Sequence, residues 1–222
     1  MASEPLTIDV FADPVCPWCW LGKRRLDAAL AARPDVNAEV RWRPYQLDPS
    51  VPPEGADRAE YLEAKFGDVA RVRATHEQLV AIGRDEGVAF LFGEIERFPN
   101  TLDCHRAIRL AAEEGLIAQG AFIEQLFELY FTEGEDISSP DVIARAADEA
   151  GLDVETLMER LESDEGDAED VRDEIERARA MGIDGVPCFI FAGKLVVMGA
   201  HPPEVLVEAM DRALGDEDDV EE

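Results

Sequence analysis

The chain has 222 residues, 46% of them hydrophobic, enough to bury a real core in one large domain or two small ones. Its 50 acidic residues outnumber 21 basic ones, giving a formal net charge of -29. The apolar content excludes a disordered acidic polymer, and the lack of a basic stripe excludes a nucleic-acid surface.

Residues 6–12 (LTIDVFA) alternate and predict a strand. Cys16-Pro17 opens a helix that ends near Pro34, since proline suits the first helical position. Residues 38–45 (AEVRWRPY) alternate again, so the chain starts strand, helix, strand. Strand patterns then nearly vanish. Helices are predicted at 56–65, 69–87, 102–114, 118–131, 140–150, 154–163 and 167–181. Thr101, Ser139-Pro140 and Asp153 mark helix starts, and Gly115 and Gly151 mark ends. CFIFA (188–192) and LVVMG (195–199), about a Gly193-Lys194 turn, predict a hairpin. A last helix spans 203–214, and the tail GDEDDVEE reads as a frayed, solvated charge run. The expected architecture is α/β: residues 1–52 and 167–222 share one sheet, and 53–166 form an inserted helical domain.

No targeting signal is expected in MASEPLTIDVF, which has acidic residues, no cationic flank and a short apolar run. No stretch has the apolar length to cross a bilayer, so the expected location is cytoplasmic, with no membrane partner. Four cysteines in such a chain are not a disulfide scaffold.

Cys16-Pro17-Trp18-Cys19 carries the chemistry. A C-x-x-C at a strand-to-helix junction reads first as a redox pair. A zinc site would need a second ligand pair, whereas Cys104 and Cys188 stand alone; inert structural cysteines are the third option. Unpaired N–H groups and the helix dipole favour an anion at Cys16, which makes it the attacking thiolate. Cys19, one turn in, would resolve the mixed disulfide. Trp18 would offer an apolar surface beside the thiol, or else pack on a helix. Gly185-Val186-Pro187 precedes a strand, where pattern alone reads an ordinary trans proline.

At these residues the chain resembles the DsbA-like thioredoxin superfamily, in the branch named after the polyketide-biosynthesis protein FrnE. That branch is related to the 2-hydroxychromene-2-carboxylate isomerases and kappa-class glutathione transferases. The matching stretches are DPVCPWCWLGKRR (13–25), Asn100-Thr101 with His105-Arg106, YFTEGED (130–136), GIDGVPCFIF (182–191) and GAHPP (199–203). The resemblance implies a thioredoxin-like fold with a large all-helical insertion. It implies a catalytic set of Cys16, Cys19 and a cis Pro187, with substrate contacts from Pro17, Trp18, Val186, His105 and Arg106, the last of which either holds substrate charge or forms a structural ion pair. The implied activity is disulfide exchange with protein or low-molecular-weight thiols, with no cofactor beyond the Cys16–Cys19 disulfide and no metal. A homodimer is left open.

The isomerases and kappa transferases typically carry serine where Cys16 sits and lack the second cysteine. Both thiols are present here, which favours exchange. Isomerase- or transferase-like chemistry and a redox-inert binding module stay as alternatives. Val10 stands where many thioredoxin-like proteins place a buried carboxylate, with Asp9 facing the other side of the strand. Asp13 either relays protons through water or serves the turn. Pro17-Trp18 lacks the histidine of strongly oxidising periplasmic relatives, so a less oxidising pair is expected. The acidic balance, with lysine only at 23, 65 and 194, resembles proteins of salt-loving archaea.

His76 is expected on a helix surface and His201 in a loop. Phe90, Phe92 and Phe98 are expected in the core more than the cleft. Cys104 should pack as a small hydrophobe. Cys188 is expected as a third thiol near the active pair: a core filler, a shield for Cys16 under oxidative stress, or a third ligand in metal capture.

Overall fold

A computed structural model describes residues 4–163 and 165–218. Four strands form one sheet in the order β2-β1-β5-β6, from β1 (Leu6–Ala12), β2 (Ala38–Pro44), β5 (Cys188–Phe191) and β6 (Leu195–Met198). β1 and β2 run parallel, joined by helix α1 (Pro17–Ala32), while β5 pairs antiparallel with both β1 and β6. The two ends of the sequence therefore meet in one sheet, with Phe11 opposite Cys188.

Alternation in β1 separates two cores. Leu6, Ile8 and Val10 belong to the large core with α1, and Phe11 belongs to a smaller one with Tyr45, Ala178, Ile183 and Cys188. Helix α9 (Pro203–Asp218) packs beside α1, and α8 (Glu165–Ala180) packs on β2. The outer edge of β2 is closed by Gln119, whose amide accepts from the Trp42 N–H and donates to the Trp42 carbonyl, both at 3.0 Å. A side-chain amide so placed replaces the missing strand and blunts the edge.

Between β2 and α8 the chain is mainly helical: α2 (Arg58–Phe66), α3 (Val69–Asp85), α4 (Leu102–Glu114), α5 (Leu116–Glu133), α6 (Pro140–Glu149) and α7 (Val154–Ser163). Two further strands, β3 (Ala56–Asp57) and β4 (Arg97–Phe98), form a short antiparallel ribbon. The helix expected from residue 56 thus starts at 58, capped by Asp57, whose carboxylate accepts from the Glu60 N–H. Trp20 on α1 joins this region to the sheet. It packs among Phe90, Phe127 and Phe131, and its indole N–H donates to Glu124 at 2.9 Å.

Other expectations are corrected locally. Thr101 makes no capping bond; Asn100 accepts from the Leu102 N–H at 2.9 Å instead. The hairpin turn centres one residue earlier than expected, on Ala192-Gly193, with φ of 49° and 66°. Positive φ at both central residues suits the right-handed twist of the paired strands. The tail expected to fray continues α9 through Asp218, and its last four residues lie outside the described residues.

Candidate active site

The site forms where β1 ends and α1 begins. Main-chain turns hold the approach, with Cys16 N–H donating to the Asp13 carbonyl at 2.9 Å. Cys16 is the N-cap in extended conformation (φ −92°, ψ 112°), and Pro17 starts the helix. No side chain caps this end; Pro17 carries no N–H, and the Cys19 N–H donates to the Cys16 carbonyl at 2.9 Å. The Cys16 Sγ lies 3.7 Å from the Val186 carbonyl oxygen, toward which it donates. The Val186–Pro187 peptide is cis. Gly22 allows this approach: a Cβ there would stand 2.8 Å from Pro187 Cγ and 3.1 Å from the Phe189 ring.

Cys19 is fully buried one turn into α1. Burial, then the neighbouring Cys16, push its thiol well above the ordinary cysteine range, against a lowering from the Asp13 main chain. Asp13 itself is buried, its carboxylate accepting from the Leu47 N–H at 2.7 Å and the Val15 N–H at 3.5 Å. It therefore ties the loop after β2 to the active turn. The Nε2 of His105 stands 3.7 Å from Asp13 Oδ1.

A cavity of about 660 Å³ opens on Cys16. Pro17, Trp18 and Val186 form its near wall, with Trp18 37% exposed. The far wall comes from α2 and α3 through Arg58, Tyr61, Leu62 and His76, over a floor of Phe92, Phe98, Tyr130 and Phe131. Tyr61 stacks on Phe98 at 3.7 Å and His76 on Phe92 at 4.1 Å. Burial pushes the Tyr61 and Tyr130 hydroxyls well above the ordinary tyrosine range.

Three expectations are corrected here. His105 and Arg106, expected to face the cleft, are buried on α4 and do not line the cavity; of the two roles expected for Arg106 the structure shows the ion pair, with Asp103 at 2.8 Å on its own helix. His76, expected on a helix surface, is half-buried in the cavity wall, and burial followed by Arg58 lowers its pKa to about 4. Cys188, expected near the pair, packs with Phe11 on the α8 side of the sheet, whereas Cys16 and Cys19 share the α1 side with Ile8 and Val10. Burial pushes the Cys188 thiol up to about 11, and Cys188 takes the first of its expected roles, filling a small buried core with Phe11, Tyr45, Ala178 and Ile183. Cys104 is buried on α4, its thiol donating to the Ile137 carbonyl at 3.0 Å. Phe92 and Phe98 serve core and cleft together, while Phe90 packs against Trp20.

A mixed four-stranded sheet, joined from both ends of the chain and interrupted by helices, defines a thioredoxin-like protein. The sequence matches the DsbA-like thioredoxin domain over residues 7–211, and the chain belongs to that family. SCO1869, a probable DsbA oxidoreductase of Streptomyces coelicolor, is 30% identical, with a TM-score of 0.85 over 95% of this chain and 90% of that one. YwbO of Bacillus subtilis, itself uncharacterized, is 27% identical over 91% of this chain and 94% of its own length. A 2-hydroxychromene-2-carboxylate isomerase shares the fold at 16% identity, with a TM-score of 0.69 over 97% of this chain and 100% of that one. Among the described residues, no helix is long and apolar enough to cross a membrane.

Proposed function

We propose that the chain is a cytoplasmic thiol–disulfide oxidoreductase of a salt-adapted cell, working through Cys16 and Cys19. The observation that carries this reading is the pair itself: Cys16 at an uncapped helix N-terminus opening on a cavity, and Cys19 buried behind it as a thiol. In this reading residues 1–52 and 167–222 carry the redox pair, and 53–166 supply the facing wall.

The Cys16 thiolate attacks one sulfur of a disulfide, forming a mixed disulfide and expelling a thiolate that takes up a proton. Cys19 then loses its proton and attacks the Cys16 sulfur. The second substrate thiol leaves, and the Cys16–Cys19 disulfide forms. Two electrons pass from protein to substrate, and the reverse sequence oxidises a dithiol. The raised pKa of Cys19 keeps it protonated until the mixed disulfide has formed. Trp18 and Val186 would flank the substrate chain, and Pro187 would keep the facing segment close to Cys16.

Isomerase-like chemistry is the weaker reading, because it gives the second thiol no task. Trapping separates the two: Cys19→Ser should accumulate mixed disulfides and Cys16→Ser none. Faster labelling of Cys19 than Cys16 by limiting iodoacetamide in the reduced protein would sink the assignment of roles.

A further inference from the structure

Arg58 is anomalous for this chain. Among the described residues, it is the one lysine or arginine not exposed to solvent that has no carboxylate within 4.0 Å. A protein with 50 acidic residues has ample material to neutralise it. The polar contacts of Arg58 are instead neutral, the Tyr130 hydroxyl among them. Its Nη1 donates to the Phe92 carbonyl at 3.2 Å, and its Nη2 lies 3.5 Å from His76 Nε2. The guanidinium sits over the Phe92 ring at 5.8 Å. Burial lowers its pKa from the ordinary arginine value, yet guanidinium stays charged at any working pH.

The other charges of the cavity are accounted for. Lys65 is held by Asp48 at 2.7 Å, Arg71 is exposed, and the Asp68 carboxylate caps α3 through the Arg71 N–H at 3.0 Å. What faces the lumen uncompensated is Arg58, in the same cavity as Cys16. A half-buried cation left unpaired costs free energy unless a ligand supplies the anion. The cavity volume falls in the range of small-molecule sites, roughly 300–1,000 Å³.

We infer that Arg58 is an anion subsite, and that the preferred substrate is a small-molecule disulfide bearing a carboxylate. The inference rests on the exchange reading only for the disulfide. The fork of the guanidinium fits a carboxylate with two hydrogen bonds, and partial burial protects that pair from the salt that screens exposed charges. His76 stays neutral beside it and adds no competing charge near neutral pH.

The test compares two disulfides in molar KCl: dithiodiglycolate, with a carboxylate on each arm, and neutral bis(hydroxyethyl) disulfide. The wild type should favour the acid, and Arg58→Gln should lower the acid-to-neutral rate ratio about tenfold, the scale of a charged hydrogen-bonded contact. Arg58→Lys should restore part of the ratio. A second arm needs no turnover: thiodiglycolate, a thioether without a reactive bond, should protect Cys16 from iodoacetamide in the wild type and lose that effect in Arg58→Gln. Protection without any exchange would leave the subsite standing and overturn the oxidoreductase reading. Exchange with an unchanged ratio and no Arg58-dependent protection would overturn the subsite alone. A preference for an acidic protein disulfide over dithiodiglycolate would also overturn it, in favour of a macromolecular partner.

Discussion

The two walls of the cleft are built on different principles. The near wall, from Cys16 to Trp18 with Gly185 and Val186, is a backbone construction: a helix start and the approach to a strand, brought together by the sheet. The far wall, from α2 and α3, is a side-chain construction in which Tyr61 and His76 lean on phenylalanines and Arg58 reaches the lumen. The first kind of wall fixes where the reacting sulfur sits. The second fixes what can lie against it. Chemistry should therefore be lost by changes on the near wall and retuned by changes on the far one.

The largest effect expected is on the near wall. Cys16→Ser should abolish exchange, measured as reduction of bis(hydroxyethyl) disulfide, while Phe92→Leu on the far side should chiefly raise KM. A Phe92→Leu variant that loses all turnover while still folded would break the comparison.

Glycines sharpen it next. Gly22→Ala would press a methyl into Pro187, and overpacking of this kind costs about 1–3 kcal/mol. Both melting temperature and exchange rate should fall. Gly120→Ala on α5 meets an ordinary contact, 3.7 Å from the Trp42 indole nitrogen, and should stabilise by roughly 0.5–1 kcal/mol through helix propensity. Thermal unfolding of the pair checks the opposite signs; a stabilised Gly22→Ala protein would show that α1 does not need the close approach.

The near wall was legible because it is made of two short runs, 170 positions apart, each of which carries a local signal. C-P-W-C at a strand-to-helix junction and Val186-Pro187 before a strand need no tertiary knowledge to be noticed. Helices 102–114 and 154–163 were legible to the residue through their periodic apolar faces, the second also through Asp153, whose carboxylate accepts from the Thr156 N–H. The far wall was not. Arg58 and His76 lie 18 positions apart on different helices, and no spacing rule links them. The β3–β4 ribbon escaped because two residues per strand carry no periodicity. His105 and Arg106 misled in the other direction: a helix of the right region was read as facing the cleft, but its packing turns both residues inward. Cys188 shows the limit of adjacency, since one position after Pro187 the alternation of the strand carries the thiol to the other side of the sheet.

Salt should act on the whole surface, not on one wall. With a net charge of -29, stability should be lower in about 0.1 M than in about 3 M KCl, where the Debye length shrinks to a few ångströms. Circular-dichroism melts at the two concentrations measure this. Equal stability would remove the support for a salt-adapted origin and leave the cleft argument untouched.

The smallest effect is the most local. His76 has its pKa lowered to about 4 by burial and then by Arg58, against an ordinary value of 6.5. Between these two values the unfolded chain binds a proton that the folded chain refuses, so this residue makes stability rise with pH across that window and fall as the solution is acidified through it. The folded protein with Arg58→Gln should show a higher His76 pKa, since the guanidinium that repels the proton is gone while the Phe92 stack remains. Imidazole proton resonances, assigned with a His76→Asn control, give the value directly. Because His76 is half-buried, water access limits the size of the shift but not its sign. A His76 that titrates at its ordinary value in the wild type would mean that the far wall is open to solvent. In that case Arg58 would face bulk salt water, and its lack of a carboxylate partner would no longer call for a ligand.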